Sequence, residues 1–211
     1  MQYYIEADGR VFTIERNGIL DLPRQEEIPF SFTPGPPIAI SKVCFGEPTL
    51  DRHPREWLCK DELIARDNVT SLMRQAIHAT MPRVVVEGII TRDDRVLLVK
   101  SCRGLTKGRW SLPGGFVSFG ESPATALERE LFEELRVQTK SLRLISVEGR
   151  IGNKSRLHWI YNFYHVEITG TVVPNPDEIS EADYFPLSAA IEKLHDIVMR
   201  QQIESLYSKT L

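Results

Sequence analysis

Residues 112–137 read LPGGFVSFGESPATALERELFEELRV, and this stretch decides the fold. Ser122 is a good helix N-cap and Pro123 suits the first helical position. A helix over 122–136 then places Ala124, Leu127, Leu131 and Leu135 on one apolar stripe. Glu130, Glu133 and Glu134 fall on another face, about 110° away. Such a helix packs one side on a sheet and presents three carboxylates on the other.

The display is locally unfavourable. Glu130 and Glu134 are like charges at i,i+4, which costs roughly 0.2–0.5 kcal/mol. All three glutamates sit in the half of the helix where the macrodipole favours cations. Taken alone, the cluster reads first as a solvated charged face. A hard dication reverses both penalties, because Mg²⁺ and Mn²⁺ prefer carboxylate oxygen and share their remaining positions with water and phosphate. The loop ahead of the helix tips the balance. Gly114 and Gly115 let backbone approach a ligand and expose a carbonyl. Glu121 lies just before the helix, and Arg129 reaches Glu133 at i,i+4 and can reach Glu121.

These residues resemble the Nudix hydrolase family, whose pattern is G-x5-E-x7-R-E-U-x-E-E-x-G-U with U aliphatic. Gly115, Glu121, Arg129, Glu130, Leu131, Glu133, Glu134 and Val137 match; Arg136 stands where the family has glycine. That departure bears on how the helix ends more than on catalysis. The resemblance implies an α/β fold, the Nudix-type α/β/α sandwich with a mixed sheet. It also implies metal-dependent hydrolysis of a nucleoside diphosphate linked to another group. By the same resemblance Glu130, Glu133 and Glu134 are metal ligands for Mg²⁺ or Mn²⁺. Glu121 is a peripheral ligand, and a Gly114 or Gly115 carbonyl is a further one. The general base is a box glutamate, Glu130 or Glu134, or a carboxylate of a later loop. The loop candidates are Glu178 and Glu181 in NPDEISEADYFPL. A metal-bound carboxylate is the poorer base, because the cation lowers its pKa.

Arg103, Lys107 and Arg109 cluster in CRGLTKGRW and are candidates to bind phosphate; a solvated basic loop explains them equally. Trp57, Trp110 and Trp159 read as packing residues, as do Tyr161 and Tyr164 on a strand. No stretch resembles the SQPWPFPxS-type motif or zinc ribbon of NADH pyrophosphatases, or the proline associated with ADP-ribose hydrolases. A nucleotide sugar or related compound is therefore the first expectation, and house-cleaning of nucleoside triphosphates the second. A ligand-sensing domain without turnover is a different class, but such domains often lose box glutamates. Isomerisation of an isoprenoid diphosphate would need a cysteine–glutamate pair, and only Cys102 is near the site in sequence.

Working outward, Pro82 marks a change of character. Residues 83–91 (RVVVEGIIT) and 95–100 (RVLLVK) flank the turn Asp93-Asp94 as strands. Further strands are expected at 142–149, 157–168 and 181–186, with helices at 187–194 and 196–208. Before Pro82, residues 2–7 and 10–15 flank Asp8-Gly9, and Asn17-Gly18 precedes 19–22, which together read as a β-meander. Pro34, Pro36 and Pro37 interrupt the chain, 38–45 reads as a returning strand, and 56–80 as helical. The expected division is an N-terminal β-rich accessory region, 1–80, serving dimerisation or as a lid, and a Nudix domain, 81–211. Dimerisation is the favoured role, giving a homodimer.

The chain has 211 residues, 42% hydrophobic and 26% charged, which excludes a disordered polyelectrolyte. Its net charge of −3 gives no global reason to bind nucleic acid or an anionic membrane. The partner expected is a small nucleotide-diphosphate substrate, with no nucleic acid and no membrane. Three cysteines without a CxxC pair suit a reducing compartment. The opening MQYYIEADGR lacks a basic and then apolar leader, and no apolar run nears the roughly 18 residues of a spanning helix. A soluble cytoplasmic protein is expected.

Overall fold

The structure is a computed structural model that describes residues 1–52, 54–104 and 106–210. The chain divides into two compact units, Met1–Pro82 with Arg150–His158, and Arg83–Gly149 with Trp159–Leu211.

The first unit begins with β1 (Gln2–Ala7) and β2 (Arg10–Val11), antiparallel across Asp8-Gly9. β3 (Ile14–Arg16) and β4 (Ile19–Asp21) pair across Asn17-Gly18. All four turn residues take positive φ, as two-residue hairpins require. The proline stretch does not interrupt the chain. Residues Phe32–Pro37 form β5, antiparallel to β6 (Val43–Pro48) at the edge of a sheet ordered β5-β6-β1-β2-β7, with β7 at Leu58–Cys59. An edge strand tolerates prolines because one side of it needs no donors. The expected strand at 38–45 begins later, after Lys42 takes φ 65°. The helical stretch splits into α1 (Lys60–Ala65) and α2 (Ser71–Thr80), the latter capped by the Thr70 side chain accepting from Met73 N–H. α2 buries Met73, Ala76 and Ile77 against Tyr4, Val11 and Leu22.

The second unit builds two sheets. In one, β12 (Gly114–Phe116) pairs antiparallel with β8 (Arg83–Ile89), β8 pairs parallel with β14 (His158–Thr169), and β13 (Gln138–Ile151) closes the edge. In the other, β10 (Arg95–Ser101) lies between β11 (Trp110–Ser111) and β15 (Ile179–Pro186), with β9 (Thr91–Arg92) on its end. Alternation along β8 and β10 feeds two cores. Val86, Leu97 and Val99 pack with α3 (Pro123–Leu135), whereas Val85, Ile89, Val96 and Leu98 pack with α4 (Leu187–Lys193) and α5 (Ile197–Thr210). Helices therefore cover both faces of the β layer, giving the expected α/β/α sandwich with a mixed sheet. No helix among the described residues is long and apolar enough to cross a membrane.

Candidate active site

α3 starts as its sequence dictates. Ser122 Oγ accepts from Thr125 N–H at 3.2 Å, and Pro123 occupies the first turn. Its buried stripe is Ala126, Leu127, Leu131 and Leu135; Ala124 is only half-buried. Each buried leucine contributes roughly 2 kcal/mol of apolar transfer. The helix ends at Arg136, in the left-handed conformation with φ 58°. The loop after β14 closes the helix end: Asn175 N–H donates to Glu134 O at 2.8 Å, and Val173 N–H to Leu135 O at 2.9 Å.

The glutamates do not share one exposed face. Arg129 gathers three carboxylates from two segments. Its Nε and Nη2 grip Glu121 at 2.9 and 3.0 Å, and Nη1 donates to Glu130 at 2.8 Å and Glu133 at 2.9 Å. Nη2 also donates to Phe116 O at 3.0 Å, fixing the end of β12. The guanidinium, with Ser118 N–H, holds the Glu121 carboxyl down to about 2. Glu134 is buried, at 6% exposure, and accepts from Gly114 N–H at 3.1 Å. Burial pushes its carboxyl up to about 8, assisted by the charges of Glu130 and Glu178. Burial raises Glu130 as well, against the pull of Arg129.

The two glycines are there for space. A Cβ on Gly115 would stand 2.5 Å from the Glu130 carboxyl carbon, and one on Gly114 would stand 2.0 Å from Val86 O. Gly114 also has φ 150°, at the margin of what side chains accept.

The two loop candidates for the base separate. Glu178 lies near enough to raise both Glu130 and Glu134 by its charge, and its Oε1 is 2.7 Å from Arg103 Nη2. Glu181 stands on β15 opposite Lys100, is half-exposed, and pairs with Lys100 Nζ at 2.7 Å. Of the basic loop, Arg103 faces the carboxylates. Lys107 and Arg109 are exposed, and their side chains form no ion pair among the described residues. Cys102 Sγ lies 3.5 Å from Pro176 O rather than against a glutamate carboxylate.

Glu87 was not among the sequence candidates. It is buried on β8 opposite Gly114, and its side chain forms no hydrogen bond or ion pair among the described residues. Burial raises its carboxyl well above the ordinary range, and the charges of Glu134, Asp196 and Glu130 add to this. The signal was present in RVVVEGIIT: one carboxylate inside the otherwise apolar run from Val84 to Ile90.

Among the described residues, no three His, Cys, Asp or Glu side chains are gathered as a set holding a metal ion. Arg129 occupies the place between Glu121, Glu130 and Glu133. The donor chemistry nevertheless fits a hard dication. The donors are carboxylate oxygens, burial and then neighbouring carboxylate charge raise Glu130 and Glu134, and Gly115 keeps the space beside Glu130 open.

The family model for the NUDIX domain matches residues 81–206, and the chain belongs to this family. An ADP-ribose pyrophosphatase of Methanocaldococcus jannaschii is 35% identical over 107 residues, 51% of this chain and 63% of that protein. The NAD-capped RNA hydrolase NudC of Pseudomonas aeruginosa is 36% identical over 109 residues, 51% of this chain and 37% of that one. The chain thus spans less than two thirds of either relative. Among solved structures, a MutT NUDIX hydrolase from Burkholderia pseudomallei superposes with a TM-score of 0.52 and 30% identity, covering 59% of this chain and 97% of its own.

Proposed function

We propose that the protein hydrolyses a diphosphate bond in a nucleoside diphosphate derivative, with Mg²⁺ or Mn²⁺ as the required ion and ADP-ribose as the leading substrate. One observation carries the reading. Five carboxylates, Glu121, Glu130, Glu133, Glu134 and Glu178, surround two guanidinium groups, Arg129 and Arg103. That deficit of positive charge suits a dication and the phosphates it brings.

Glu130, Glu133 and Glu134 are the residues to hold the ion, with Glu121 behind them and a Gly114 or Gly115 carbonyl as a further donor. Bound there, the ion supplies charge neutralisation on the diphosphate and a more acidic water. The chain's own groups do the rest. Arg129 orients three carboxylates, and Arg103 binds phosphate oxygens. Lys107 and Arg109 extend that basic loop toward the anion. Water attacks one phosphorus, the bridging P–O bond breaks, and the leaving phosphate takes the electron pair. Glu178 accepts the water's proton, since it acts on Glu130 and Glu134 whereas Glu181 pairs with Lys100 on β15.

The named relatives support the substrate class. ADP-ribose and NAD both carry an adenosine diphosphate joined to a second ribose. This ranks ADP-ribosyl compounds above the nucleotide sugars and nucleoside triphosphates expected from sequence. Turnover of ADP-ribose with Mg²⁺ in ¹⁸O-labelled water tests the chemistry. Label in one phosphate product and none in unreacted substrate is the expected result; label in a ribose hydroxyl, or no turnover across ADP-ribose, NADH, UDP-glucose and dGTP, contradicts it.

A further inference from the structure

Arg103 and Glu178 meet from two loops of the second unit, one after β10 and one before β15. Arg103 Nη2 is 2.7 Å from Glu178 Oε1, and the pair is lopsided: the arginine side chain is 66% exposed and the glutamate 18%. The two backbones are stitched beneath them, with Cys102 N–H donating to Glu178 O at 2.8 Å. The smallest rearrangement that parts the two side chains is therefore a swing of the arginine. Glu178 faces Glu130 and Glu134 of α3 as well as Arg103, and Arg103 also acts on Glu134. Arg129 is committed to Glu121, Glu130 and Glu133, so Arg103 is the cation with freedom to leave its partner.

We propose that Arg103 is an exchange residue that couples substrate arrival to release of Glu178. In the free protein it rests on the Glu178 carboxylate. An arriving diphosphate offers more charge and paired oxygens to its planar fork, while an exposed pair with one carboxylate is weak. The guanidinium moves to the phosphates, and Glu178 is left unpaired beside Glu130 and Glu134. A carboxylate oxygen already accepting from a guanidinium has fewer lone-pair positions left to accept a hydrogen bond from a water. Arg103 is thus a positioning residue for Glu178 in addition to a phosphate ligand. The inference rests on the hydrolase reading for its purpose, but not for its test.

The test is calorimetric binding of inorganic pyrophosphate to the full chain in EDTA, with thermal melting to confirm that each variant folds. Glu178→Gln removes the competitor and should tighten binding about two- to fivefold. Arg103→Gln should weaken it about tenfold, and the double variant should match Arg103→Gln, because the gain needs the arginine. Glu181→Gln removes the same charge from the Lys100 pair and should change binding less than Glu178→Gln. The proposal is overturned if Glu178→Gln gives no gain, or gives the same gain when Arg103 is absent. Failure of turnover on every diphosphate, with the binding cycle as expected, would sink the hydrolase reading and leave the exchange standing.

Discussion

Arg136 holds a left-handed backbone conformation that glycine adopts without strain. Its guanidinium lies 5.6 Å from the Phe132 ring centre, a small exposed compensation. Arg136→Gly is therefore expected to stabilise the protein by about 0.5–1 kcal/mol in urea unfolding, with turnover unchanged; a loss of stability would show that the ring contact outweighs the strain. Gly115→Ala acts in the opposite way. Its methyl group would meet the Glu130 carboxyl carbon at 2.5 Å. A fall of at least about tenfold in kcat/KM, read in the Mg²⁺ assay, is expected from displacing one carboxylate; unchanged turnover would remove Glu130 from the site. At this scale the motif residues were legible because fixed spacing marks them. Choosing between Glu178 and Glu181 was not, since three positions along the chain decide whether a carboxylate faces α3 or Lys100 across the sheet.

α3 and β8 were legible as elements, α3 from its cap and stripe, β8 from its β-branched run. The burial of Glu134 was not. Helical phase puts it near the charged face, but the 173–178 loop and β12 fold over it. The strand at 32–37 was missed for a related reason, because a proline run reads as a break unless it lies at a sheet edge. Buried carboxylates have a consequence for α3 and β8 as elements. Glu134 is raised to about 8 and Glu87 is raised also. The native state then holds more protons than the unfolded chain from about pH 4.5 up to pH 8, so stability falls as pH rises through that window. Glu121, held near 2, works in the opposite direction only below about pH 4.5, where stability is lost as pH falls. Metal-free protein should unfold more easily at pH 8 than at pH 5.5, by on the order of 2 kcal/mol in urea titrations. Glu87→Gln should recover part of the loss at pH 8, and Mg²⁺ should stabilise more at pH 8 than at pH 5.5. A flat or rising profile would contradict the burial of these two groups.

For the molecule as a whole, the box and the strand pattern marked the elements that follow Pro82, while the first unit was marked by its Asp-Gly and Asn-Gly turns. Dimerisation through it is a proposal, and its sheet offers poor edges for strand pairing. β5 carries Pro34, Pro36 and Pro37, which have no N–H to donate, and β7 has two residues. A dimer, if formed, should therefore use side-chain faces, and sedimentation at several concentrations would show it. Substrate choice was also illegible beforehand, because the box residues carry the acidic cluster and nothing in their spacing speaks to the group beyond a diphosphate.

The most direct measurement is steady-state hydrolysis of ADP-ribose by the full chain across a Mg²⁺ titration, with Glu134→Gln alongside. The expected result is release of AMP and ribose 5-phosphate that is absent in EDTA and saturates with Mg²⁺. In the variant, the expected loss is about a hundredfold or more in kcat/KM. Turnover that ignores Mg²⁺, or that survives Glu134→Gln undiminished, would contradict the assignment of this carboxylate cluster as the site.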